Sequence, residues 1–168
     1  TNTFAANRAM LRCGIEEQTE IIRKACELAG NCVTEWMQEG NEAVWLLGDI
    51  GPIPEDSETQ EQEILAEYQL ICDLFIEAGL DGIHFETFSS MHYIEKLVPY
   101  IKEKAPNMFV MASFCVNKNG YTAAGIRAER ILERISTELP IDACGLNCGV
   151  GSGHMLKLLQ NITLPADQ

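Results

Sequence analysis

Gly145-Leu146-Asn147-Cys148-Gly149 closes a short apolar run that starts at Ala143, and it sets a cysteine where a strand opens onto a glycine-rich loop. In α/β proteins the carboxyl ends of parallel strands are where sites are built. A thiol at such a place can ionise, and the thiolate is the form that binds a soft metal or attacks an electrophile. The bland alternative is that Cys148 is one more buried, inert thiol, since free cysteine is among the most buried residue types.

Outward from this motif, β-prone apolar runs recur ahead of amphipathic stretches. The runs are Thr1-Asn2-Thr3-Phe4, cut short by the start of the chain, Ala43 to Gly51, Gly82 to Phe88, Met108 to Phe114 and Ala143 to Gly149. Between them the spacing predicts helices over Glu16 to Gln38, Glu61 to Ala78, Ser90 to Lys104 and Ala124 to Leu139, with a short one near Gly153 to Gln160. Alternation of this kind specifies βα units and a parallel sheet. In the second helix Ile64, Tyr68, Ile71, Cys72 and Phe75 form a stripe at spacings of three and four. Ser57 with Gln60, or Thr59 with Gln62, offers a capping box before it, and Ala78-Gly79 is a glycine stop after it.

Composition narrows the function classes. The 168 residues are 46% hydrophobic and 7% aromatic, enough for one sizeable core. No apolar run approaches a membrane span and no leader resembles a signal peptide, so a soluble, cytoplasmic protein is expected, with no membrane partner. With 25 acidic against 12 basic residues, a net charge of −13, nucleic acid is an unsuitable partner, because phosphate binding needs clustered Lys and Arg. The seven cysteines, an odd number without C-x-x-C pairs, fit a reducing compartment. Neither G-x-x-x-x-G-K-[ST] nor a strand-linked G-x-G-x-x-G occurs, which removes a nucleotide-binding reading; Gly149-Val150-Gly151-Ser152-Gly153 is the nearest approach.

Five stretches, in order, carry a family resemblance. Thr1-Asn2-Thr3-Phe4, with Asn7-Arg8, is similar to the end of the second barrel strand of homocysteine S-methyltransferases, in particular the homocysteine-binding module of cobalamin-dependent methionine synthases. Gly48-Asp49-Ile50-Gly51-Pro52 resembles the third strand end, and the segment from Ala78 to Phe88, ending His84-Phe85-Glu86-Thr87-Phe88, the fourth. Asn117, Gly120, Thr122 and Gly125 are similar to the loop after the fifth strand, and Gly145-Leu146-Asn147-Cys148 to the end of the sixth.

The resemblance implies a (β/α)₈ TIM-barrel type of α/β fold, present here as an incomplete barrel of about five parallel strands forming one domain, 1–168. It also implies a zinc ion held by three cysteines, with the thiol of homocysteine as the exchangeable ligand, and a methyl transfer to that thiol to give methionine. Cys148 matches the first zinc cysteine. Glu86 matches the acid that holds the substrate's amino group, while Asp49 and Asn2 lie at matching strand ends, near the substrate or supporting its loops. By residue type alone Glu86 would more often be a loop cap or surface acid, and Asp49-Ile50-Gly51 plain turn chemistry.

Three departures matter. His84 stands where the family usually has an aliphatic residue; a hydrogen-bonded interior histidine is the expectation, with tuning of Glu86 as the lesser one. Cys144 reads as core filler, and His92 and His154 fall at helix starts without a partner pattern. The first strand with its glycine-rich turn, and the Gly-Gly-Cys-Cys-Gly element that supplies the other two zinc cysteines, have no counterpart in these residues. The chain is therefore expected to be part of a longer protein and inactive alone. Its partners would be homocysteine, a corrinoid domain or protein carrying methylcobalamin, and itself, through open sheet edges. A noncatalytic α/β binding or assembly module is the alternative.

Overall fold

The computed structural model describes residues 1–55 and 60–162. Its centre is a four-stranded parallel sheet in sequence order, β1 (Leu47–Ile50), β2 (Gly82–Phe88), β3 (Phe109–Cys115) and β4 (Ala143–Asn147). The helices are α1 (Arg8–Leu11), α2 (Ile15–Gln38), α3 (Glu61–Glu77), α4 (Ile94–Lys104), α5 (Ala128–Glu138) and α6 (Ser152–Gln160). Among the described residues no helix is long and apolar enough to cross a membrane.

Consecutive parallel strands joined by right-handed crossovers must carry their helices on one face of the sheet. The burial agrees. Ile50, Ile83, Phe85, Val110, Ala112 and Phe114 point into one core with Ile22 and Cys26 of α2, Ile71 and Phe75 of α3, Leu97 and Ile101 of α4, and Ile131 and Ile135 of α5. The alternate residues Asp49, His84, Glu86, Met111 and Cys115 are only half-buried and share the other face, the interior side of a barrel. Gly48 lets Phe75 lie flat on the sheet, since a Cβ there would meet the ring at 2.3 Å.

Thr1–Phe4 lies along the outer edge of β1 without forming a regular strand. The Thr1 backbone nitrogen donates to the Leu47 carbonyl (2.6 Å) and the Gly51 amide to the Phe4 carbonyl (3.0 Å). Between these, the Thr1 and Thr3 hydroxyls accept from the Asp49 amide at 3.1 and 3.2 Å, and Thr3 donates to the Asp49 carbonyl at 2.8 Å. Hydroxyls thus stand where ladder partners would, which is why four strands are observed beside an expected fifth run.

The expected helices all form, with shifted starts that have local causes. α3 stops with Ala78 as its cap and Gly79 at φ +68°, as the glycine stop predicts. Its cap residue is Gln60, which makes no side-chain capping bond; Ser57 and Thr59 of the expected box lie outside the described residues. α4 begins four residues later than Ser90, because Met91 and Tyr93 turn into the core. α5 begins at Ala128 because Gly125 takes φ +75° and Tyr121 bridges Arg127, closing a tight loop. Helix α1 was not foreseen; Asn7 caps it by accepting from the Met10 amide at 2.9 Å.

Candidate functional site

Asp49, Glu86 and Cys148, three of the side chains singled out in the sequence, lie at the carboxyl ends of β1, β2 and β4. Asp49 is the register partner of His84, and Glu86 lies two residues further on the same face of β2. One ligand atom from each of Asp49, His84 and Glu86 falls within 4.8 Å of the others. Register slips between Phe85 and Phe88, so Glu86 and Thr87 sit in a bulge. Bulges re-aim side chains and recur next to active sites. Thr87 has φ +65°, a strained value for a β-branched residue, and Cys148 at the end of β4 has φ +55°.

Asn147 ties the two strand ends together. Its Nδ2 donates to Glu86 Oε1 at 3.2 Å and to Thr87 Oγ1 at 2.8 Å, and lies 3.7 Å from Cys148 Sγ. The Thr87 hydroxyl reaches the same sulfur at 3.9 Å. Cys148 is exposed, so it is not the buried filler that residue type alone suggests. The following Gly149 takes φ +69°, and a Cβ there would stand 2.1 Å from the Val116 carbonyl oxygen. Only glycine allows the loop to approach so closely and hold Cys148 over the sheet.

Electrostatics concentrate on Asp49. Burial, then the charge of Glu86 and a hydrogen bond with it, push the Asp49 carboxyl up to about 7. His84 bonds through Nε2 to Ser113 Oγ at 2.8 Å, and burial pushes its imidazole down while Glu86 opposes. The ring is therefore a hydrogen-bonded interior histidine, as expected from sequence. Asp49 Oδ1 and Asn147 Oδ1 are shut off from solvent without a hydrogen-bond partner among the described residues. This end of the sheet thus presents acceptors that lack donors, which suits a cationic ligand.

Asp49, Glu86 and Cys148 share this end of the sheet. Asn2 is exposed beside β1, and among the described residues no hydrogen bond joins it to Asp49, His84 or Glu86. Cys144 packs against the core and its thiol is pushed up by burial, as befits filler. His92 pairs with Glu61 at 3.0 Å, a partner the sequence did not reveal. Asn147 and Thr87 also escaped sequence reasoning; the available signal was their place inside the quoted strand-end motifs. Asp49, His84 and Glu86 are the only convergent group of three or more His, Cys, Asp or Glu among the described residues. Cys148 lies outside that group.

The sequence profile of homocysteine S-methyltransferases matches residues 1–168. This chain belongs to that family. As a homocysteine S-methyltransferase homologue it has solved structural neighbours in the homocysteine methyltransferase MmuM from Escherichia coli. The metallated form superimposes with a TM-score of 0.77 at 18% identity, covering 95% of this chain and 60% of that one. The apo form gives 0.72 at 19% identity, covering 88% and 56%, and the oxidised form 0.76 at 18% identity, covering 95% and 59%. At such identities the likeness establishes the fold, here a partial barrel, and the chain spans about 60% of the length of the structures it matches. No curated protein sequence matches the chain.

Proposed function

We propose that this homocysteine S-methyltransferase homologue is the substrate-holding part of a barrel, within a longer protein, that transfers a methyl group to the thiol of homocysteine to give methionine. The observation that carries the reading is the convergence of Glu86 at the end of β2 with Asn147 and Cys148 at the end of β4, across the intervening β3, with Asn147 within reach of both the acid and the sulfur. In this reading Glu86 accepts the substrate ammonium, a charge-assisted contact worth most in a partly dry pocket. Asn147 fixes Glu86 and steers Cys148. Asp49 completes the floor, and Asn2 supports the rim.

Cys148 suits a zinc ion as one of its thiolate ligands, and the other two ligands come from outside these residues. Zinc holds the substrate thiol deprotonated at neutral pH, where a free thiol is mostly protonated. The donor in this reading is methylcobalamin on a separate domain or protein, supported by the likeness of Thr1–Phe4 and Gly48–Pro52 to the cobalamin-linked branch. The setting is cytoplasmic.

The test is methyl transfer from methylcobalamin to homocysteine by the complete protein, alongside zinc content. Cys148→Ser should lose bound zinc and turnover together. Glu86→Gln should raise KM by about tenfold or more, equivalent to about 1.4 kcal/mol of lost binding, while zinc stays bound. A folded complete protein that binds zinc yet never methylates homocysteine would overturn the catalytic reading in favour of a noncatalytic binding or assembly module. The 168 residues alone should show no turnover.

A further inference from the structure

We propose that Asp49 and Glu86 act as a single carboxyl pair that shares one proton when the pocket is empty and gives it up to solvent when a primary ammonium group takes its place. The inference rests on the reading that this pocket holds an amino-acid substrate, and it deepens that reading by assigning Asp49 and the proton a role in recognition.

The geometry carries it. Asp49 and His84 face each other across the β1–β2 ladder, and Glu86 follows on the same side, their ligand atoms within 4.8 Å. Two carboxylates this close, half-buried, cannot both stay ionised without a cation between them. The facing groups supply little relief. From β2 comes His84, held by Ser113 of β3; from β3, the Cys115 thiol stands at the strand end; from β4 come Asn147 and, beyond it, Cys148; from the amino-terminal segment come only the Thr1 and Thr3 hydroxyls, on the Asp49 backbone. No lysine or arginine is among the groups acting on Asp49, and burial and Glu86 both push its carboxyl up. Asn147 donates to Glu86 Oε1, leaving Asp49 Oδ1 and its own Oδ1 as acceptors without donors. An ammonium brings three donors and a positive charge, which satisfies what a lone shared proton cannot. The exchange balances: the protonated pair and R-NH₃⁺ become two carboxylates around R-NH₃⁺, with one proton in solvent.

A homocysteine titration would also count the thiol proton, so the probe is methionine, which has the same amino acid backbone and no thiol. Calorimetry on the complete protein, in buffers of different ionisation enthalpy from pH 5.5 to 9, counts protons released on binding. The expectation is close to one proton per methionine near pH 6, falling towards none above about pH 8, with affinity rising about tenfold per pH unit on the acid side. The analogue 4-(methylthio)butanoate, which lacks the amino group, should release none. Asp49→Asn should bind with no proton release and with affinity nearly independent of pH. If that variant does not fold, the wild-type proton count still decides. Methionine binding without proton release overturns the pair and leaves the substrate reading standing. Failure of the folded wild type to bind both methionine and homocysteine at every pH overturns the substrate reading and the pair with it.

Discussion

Thr87 and Cys148 hold positive φ values at the ends of β2 and β4, which flank β3, and both side chains meet Asn147. Strained backbone of this kind costs on the order of 1–3 kcal/mol per residue and persists where the surroundings impose it, commonly at functional sites. Gly149 is part of that imposition. Gly149→Ala should destabilise the fold by about 2 kcal/mol or more, since a left-handed φ is combined with a clash against backbone; a urea midpoint shift measures it. Asp49 gives a pH signature. Its folded-state value, about 7, lies above the ordinary 3.8, so the folded protein binds the extra proton. The stability this contributes is full below the ordinary value and is lost as pH rises through the folded one. The stability of wild type relative to Asp49→Asn should therefore fall between about pH 4 and pH 7 and level off above, as read by denaturant titrations at stepped pH. The sequence made Glu86 and Cys148 legible through their motifs. It could not show that Asn147 joins them, because that depends on β4 lying where its end overlooks β2.

At the scale of elements, the joint between the amino-terminal segment and α3 is a buried polar knot. Glu67 is 7% exposed and accepts from the Arg8 amide (2.6 Å), Arg8 Nε (3.0 Å) and Gln18 Nε2 (2.8 Å), while Gln18 also donates to the Ala6 carbonyl at 3.0 Å. Removing such an acceptor strands its donors. Glu67→Ala should cost on the order of 3 kcal/mol in chemical denaturation. Glu67→Gln should cost less. Periodicity made the core stripe of α3 readable, and Ile64, Tyr68, Ile71, Cys72 and Phe75 are all buried. Glu67 fell outside that reading because a charged residue between apolar ones looks solvent-facing until its partners from Arg8 and Gln18 arrive. The late starts of α4 and α5 were likewise invisible, since buried Met91 and Tyr93 and the bridge from Tyr121 to Arg127 are tertiary matters.

Across the whole molecule, one face of the sheet is sealed by helices and the other, carrying Asp49, His84, Glu86 and Asn147, stays half-buried. β4 is half-buried along its whole length and, among the described residues, pairs only with β3. Open strand edges recruit further strands. The 168 residues alone should therefore associate with rising concentration, and sedimentation velocity should show the weight-average mass increasing; a concentration-independent monomer would contradict this. The amino-acid sequence by itself determined the alternation of strands and helices, their parallel order and the family, because period, glycine stops and strand-end motifs are local properties of the chain. Only the tertiary structure decided that Thr1–Phe4 meets β1 through hydroxyls, that Asn147 links Glu86 to Cys148, and that Asp49 and Glu86 face each other. Those contacts join residues 46 to 61 positions apart or lie across neighbouring strands, and their energies depend on distance and burial, which no local pattern encodes.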